Sequence, residues 1–177
     1  MEVWDNEYPA SSEYVHYYST YVGLVEKANI ITILNSQMHE LYTLINSVPG
    51  DKAYLAYEPG KWTLKEVFGH MIESERVFCY RAFSISRGEL QPLPGMDQDE
   101  YMVGNNYNSR TLANLSNEYL AVRVSTIHLL SSMTKEMISK KGNASGFDFT
   151  VRALAFIIAG HERHHINVIK EKYLAED

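Results

Sequence analysis

Four long stretches of this sequence repeat their apolar residues every three to four positions, and nowhere do apolar and polar residues alternate for long enough to make a sheet. That periodicity predicts an all-α architecture. Residues 29–48 set Ile30, Ile33, Leu34, Met38, Leu41, Leu44, Ile45 and Val48 on one face and stop at Pro49-Gly50. Residues 62–87 open with Thr63-Leu64-Lys65-Glu66, which fits a capping box, carry Val67, Met71, Phe78 and Ile85 in register, and end at Gly88. A third helix is predicted over 109–139 through Leu112, Leu115, Tyr119, Val122, Leu129, Met133 and Met137; residues 140–146 break it, and a fourth covers 149–174. Four helices with one apolar stripe each satisfy one another as a four-helix bundle.

Two segments stand outside that pattern. Residues 88–108, with Pro92, Pro94, Gly95 and Gly104, suit neither period and read as a long loop between the second and third helices. Loops of that length inside a compact domain are either covers or disordered, and Leu93, Met96, Tyr101, Met102 and Tyr107 favour a packed cover. Residues 1–26 are rich in tyrosine (Tyr8, Tyr14, Tyr17, Tyr18, Tyr21) and read as an arm, with a short helix over 13–26, packed across a bundle domain of residues 27–177.

Composition narrows the partners. Sixteen Lys and Arg against 22 Asp and Glu leave a net charge of −6, which offers no basic footprint for nucleic acid. The apolar run 153–159 is far shorter than the ~20 residues a bilayer span needs, and the opening MEVWDNEYP has no basic region followed by an apolar one, so neither a membrane nor a secretion signal is expected. The single cysteine, Cys79, between Phe78 and Tyr80, reads as a buried or half-buried thiol. A cytoplasmic protein acting on a small molecule is the expectation. A chain of this length builds a core without staples, so a metal here would serve function.

Helical phase sorts the seven histidines. At 100° per residue, His161 and His165 fall in the middle of the stripe made by Leu154, Ile157, Ile158, Val168 and Ile169, while Arg152, Arg163 and Lys170 fall opposite and His164 lies at the border. Two imidazoles four residues apart on one face can grip one metal, and two polar rings inside an apolar stripe need partners if they are to be buried. His70, beside the Val67/Phe78 stripe, is the best third ligand. Glu66 and Glu73 flank it at i−4 and i+3, placed to orient ligands, add a ligand or, for Glu73, accept a proton in catalysis. His39 and His128 fall on solvent faces, and His16 lies in the arm without an assignable face.

The string His161-Glu162-Arg163-His164-His165 also matches HExxH, in which the glutamate is the general base of a zinc protease. The rest of that pattern is missing: Val168 and Glu171 stand where a glycine and a histidine would continue it, and only 12 residues follow His165. Glu162-x-x-His165 is likewise one arm of a di-iron bundle, which needs two such pairs.

Three runs in order, YEPGKWTLKEVFGHMIESERVFCYRAFSISRG, PLPGMDQDEY and VRALAFIIAGHERHHINVIKEKYL, resemble the DinB-like, or YfiT-like, superfamily of small four-helix metalloproteins, over most of residues 25–174. The resemblance implies an up-down-down-up bundle and a divalent metal (zinc, nickel or iron) held by His70, His161 and His165, the three that phase selects. It further implies either a transferase that activates a low-molecular-weight thiol or a metal-dependent hydrolase, with a non-catalytic metal-binding stress-response bundle as the alternative, and a homodimer. Glu162 and His164, beside the last ligands, and Asp97, Asp99 and Tyr101 of the long loop are read as pocket or ligand-orienting residues.

Overall fold

The computed structural model describes residues 3–175. Four helices form the bundle: α2 (Ile30–Ser47), α3 (Leu64–Ser86), α5 (Leu112–Ser131) and α7 (Val151–Val168). Each starts at a residue whose side chain accepts from the first-turn amides, Asn29, Thr63, Thr111 and Thr150, so every one has an otherwise unpaired N–H group satisfied. The capping box read from Thr63 and Glu66 is present: Thr63 N–H donates to Glu66 Oε2 at 2.8 Å, and Glu66 N–H to Thr63 Oγ1 at 3.3 Å. α2 packs on α5 and α7, and α3 packs on the same two, so consecutive helices α2 and α3 lie across the bundle from each other. That diagonal arrangement accounts for the long 48–63 connection, which has to cross the end of the bundle.

Between α3 and α7 the sequence reading needs three corrections. The third helix stops at Ser131, and a separate turn of helix, α6 (Lys135–Ser139), follows; Thr134 accepts from Met137 N–H and caps the new start. Residues 140–150 are not a plain break, because β1 (Lys141–Ala144) and β2 (Phe147–Thr150) pair as an antiparallel hairpin. Its two-residue turn has Ser145 at φ 55° and Gly146 at φ 82°, the left-handed pair that a tight hairpin turn requires. Four-residue strands are too short to register as alternation. The 88–108 segment also has structure: Leu93 bridges to the hairpin through Leu93 N–H to Asn143 O (2.9 Å) and Ser145 N–H to Leu93 O (3.1 Å), and α4 (Gln98–Val103) follows.

The arm packs on the bundle through Trp4 and Val22, both buried, and Trp4 Nε1–H donates to Leu130 O at 2.9 Å. Instead of a helix over 13–26 it makes two 3-10 turns and one short helix, α1 (Ser19–Val22), which lies against α7. Gly160 allows this approach, since a Cβ there would stand 2.1 Å from the Tyr21 carbonyl oxygen. Glu13 and Glu7 fasten the arm by ion pairs to Arg152 at the start of α7. No described helix is long and apolar enough to cross a membrane.

Candidate metal centre

His70 on α3 and His161 and His165 on α7 converge at the seam between these two helices. His161 Nε2 lies 3.1 Å from His70 Nε2 and 3.1 Å from His165 Nε2. At least one of the nitrogens in each close pair lacks a proton, because two N–H groups cannot point at each other. Burial drives all three rings toward the neutral form: His70 is lowered to about 4, first by desolvation and then by His164, and His161 and His165 are pushed well below the ordinary histidine value, first by desolvation, then by their neighbours in the cluster (His165 and His70 for His161, His70 for His165) and last by His164. The donor set is therefore three neutral imidazoles. Three nitrogens arranged tetrahedrally about one ion, at bond lengths of about 2.0–2.1 Å, stand about 3.3 Å apart, close to the two spacings about His161; all three donor atoms lie within 4.8 Å of one another.

Two cavities reach this cluster. One opens on His70 and His161 and is walled by Phe78, Arg81 and arm residues Tyr18 and Tyr21. The other opens on His165 beside Trp62, Lys61, His164 and Tyr173. The 88–108 segment stands at both mouths, with Met96 and Gln98 at the first and Asp99 at the second. In that limited sense it is the cover the sequence suggests.

The remaining sequence candidates divide. His164 is half-buried, with its ring centroid 5.0 Å from that of His165 and 5.3 Å from that of Tyr21, as a pocket residue should be. Glu66 is occupied as the cap of α3 and accepts a further bond from Asn108 Nδ2 at 3.1 Å, so its role is local. Glu73 lines neither cavity. Tyr107, whose ring lies against Gly69 where any Cβ would collide, donates its hydroxyl to Glu73 Oε1 at 2.6 Å. The neighbour of His70 is Ser74, with Oγ 3.4 Å from Nδ1, since i+4 and not i+3 points along the stripe. Asp97 is the N-cap of α4, accepting from Asp99 and Glu100 N–H, and is exposed. Tyr101 is exposed and lines a separate hollow with Leu93 and Pro94. His16, His39 and His128 are exposed.

Glu162, the glutamate of the HExxH string, is turned away from the histidines. It sits in the core with Arg123, whose Nη2 donates to Glu162 Oε2 at 2.6 Å and to Glu75 Oε2 at 2.8 Å, while Tyr119 donates its hydroxyl to Glu162 Oε2 at 3.0 Å. Burial works against the charge on Arg123, and the Glu162 and Glu75 carboxylates overcome it, holding its pKa above the ordinary value. Sequence periodicity missed this network, and it also missed Ser74, Arg81 and Trp62 at the cavity walls. The one available signal was Arg123 four residues after Tyr119, on the same buried face.

A family model for the DinB superfamily matches residues 34–169. The chain belongs to the DinB superfamily. Among solved structures it is similar to YfiT from Bacillus subtilis, described as a probable metal-dependent hydrolase with an unusual four-helix bundle topology. The TM-score is 0.72 at 16% identity, over 80% of this chain and 82% of that one. No curated protein matches the sequence. The superfamily fold is the four-helix bundle expected from periodicity, with the small hairpin added between α5 and α7.

Proposed function

We propose that this protein is a divalent-metal-dependent enzyme in which His70, His161 and His165 hold a zinc, nickel or iron ion, and that it transfers a low-molecular-weight thiol to a small electrophile. The observation that carries the metal is the convergence of three imidazoles inside the bundle, with the Nε2 of His161 3.1 Å from that of each of the other two. A divalent ion supplies a Lewis-acid site that makes a thiol, or failing that a water, nucleophilic at neutral pH. The preference for thiol transfer rests on the two cavities. One opens on His70 and His161 and the other on His165, from different walls of the same cluster, which suits two reactants, whereas hydrolysis needs room for one and a water.

The thiol has to come from outside, because Cys79 lines neither cavity and burial raises its pKa. His161, at the centre of the cluster, would present its Nε2 between those of the other two. Ser74 would steady the His70 ring from its far nitrogen. Trp62, its centroid 4.8 Å from that of His70, would exclude water on one flank. Hydrolysis is the second reading, favoured by the description of YfiT.

The test is elemental analysis of untagged protein beside His161→Ala, followed by turnover assays with thiols and electrophiles and, separately, with ester and amide substrates. About one divalent ion per chain, lost in the variant, and chelator-sensitive thiol consumption are the expected results. Chelator-sensitive hydrolysis without thiol consumption would replace the first reading by the second. Metal binding and ligand-induced stabilisation with no product would leave a binding module. A full complement of metal in His161→Ala would overturn the site.

A further inference from the structure

Two arginines are buried in this protein, and only one has a counter-anion. Arg123 is closed off by Glu75 and Glu162. Arg81, on α3, is 3% exposed, yet its Nη2 donates only to neutral acceptors, Pro94 O at 3.0 Å and Ser145 Oγ at 2.8 Å. Its Nε–H is buried with no acceptor among the described residues. A buried N–H on a charged group without a partner is costly and calls for an occupant. The Pro94 and Ser145 bonds tie Arg81 to the 88–108 segment and to the hairpin turn, so the guanidinium is held in place before anything binds.

The cavity that Arg81 lines is the one that opens on His70 and His161. Phe78 stands between, with its ring centroid 5.8 Å from the Arg81 guanidinium carbon and 5.9 Å from the centroid of His161. Among the described residues that line this cavity there is no carboxylate, and Arg81 is the only Arg or Lys. One guanidinium on that wall, with no second Arg or Lys beside it, matches a single negative charge, a carboxylate, better than a phosphate dianion, which recruits several donors. Between the cation and the histidines the surface is aromatic (Phe78, Tyr18, Tyr21) and suits an apolar segment.

We propose that Arg81 binds the carboxylate of the molecule that reaches the three histidines through this cavity, so that this ligand is a monoanion with an apolar segment between its carboxylate and its reacting end. This rests on the metal-dependent reading above. The carboxylate belongs either to the thiol itself or to the molecule that the thiol attacks.

The experiment uses cobalt-loaded protein titrated with ω-mercaptohexanoate and with ω-mercaptohexanol, reading the thiolate-to-cobalt absorption band and the binding constant. The acid should bind about 10- to 100-fold more tightly than the alcohol, the range expected for a hydrogen bond to a charged partner. Arg81→Met should abolish that ratio and Arg81→Lys keep part of it, with metal content and alcohol affinity unchanged in both. Equal binding of acid and alcohol by the wild type, or an undiminished ratio in Arg81→Met, overturns the proposal.

If Arg81→Met does not fold, the wild-type ratio and the Lys variant decide. A metal-free arm separates this proposal from the reading beneath it: hexanoate, and not hexanol, should shift the Arg81 Nε–H resonance even if no thiolate band forms with any ligand. An unmoved resonance under saturating hexanoate counts against the anion site itself. Hexanoate binding that adds to that of mercaptoethanol assigns the carboxylate to the second molecule. Binding gained only when both groups are on one molecule assigns it to the thiol. Both results support Arg81 as the anion group.

Discussion

Helices α3 and α7 carry two buried polar clusters whose members are adjacent in sequence, and the clusters are built on opposite plans. Glu162 joins Arg123, Glu75 and Tyr119 in a network where one guanidinium bridges two carboxylates, each of which accepts more than one bond. His161, the residue before it, joins His70 and His165 in a set of neutral rings with lone pairs facing one another and no charge to balance. One helical step of 100° separates a locked part of the core from one that needs a ligand. The contrast shows how an HExxH string can mislead: here its glutamate serves the scaffold and only its outer two histidines serve the centre.

Four changes would break or sharpen that contrast. The largest effect should come from Arg123→Met, which strands two buried carboxylates and should cost about 3–5 kcal/mol in denaturant unfolding, while the folded fraction still binds metal. Near-wild-type stability would mean that the network is not a scaffold.

Next is the acid response of metal-free protein. The folded His70 takes a proton only near pH 4, whereas the unfolded chain does so near 6.5, so the unfolded state binds more protons in between. Stability should be full above 6.5 and fall as pH drops toward 4, at up to about 1.4 kcal/mol per pH unit for that one ring. Denaturation midpoints across this window check it, and a flat profile would contradict the burial of the rings.

Glu162→Gln keeps an acceptor for Tyr119 but removes a charge from Arg123, and should cost about 1–3 kcal/mol with metal content per folded chain intact. Unchanged stability with a large loss of turnover would instead return the general-base role to Glu162. The smallest effect, about 1 kcal/mol, is expected from Thr63→Ala, which removes the cap of α3 and touches neither cluster.

The bundle was legible because each long helix repeats one apolar stripe, and the histidine cluster because two histidines interrupt the stripe of α7 at its centre. Periodicity reports which face is buried, so it found His161 and His165 and passed over Arg123, a charged residue that becomes tolerable in the core only through partners 48 and 39 positions away. It placed Glu73 at the centre because i+3 and i+4 lie close on a wheel. In the folded chain Tyr107 claims Glu73 and Ser74 takes the position beside His70. The hairpin was hidden by strands of four residues. Arg81 was hidden because what marks it out, an N–H without an acceptor, exists only in three dimensions.

The arm has a consequence for how this protein is made. Tyr18 and Tyr21 wall a cavity completed by His161, and Glu13 is held by Arg152, 139 residues later. The arm precedes α7 in the chain, so Glu13, Tyr18 and Tyr21 must wait for that helix before they have these partners. Closing so long a loop makes this the slow event of folding. The histidine cluster and the cavity beside Arg81 are therefore completed only when α7 docks, and a polypeptide stalled before α7 would leave Tyr18 and Tyr21 without that surface.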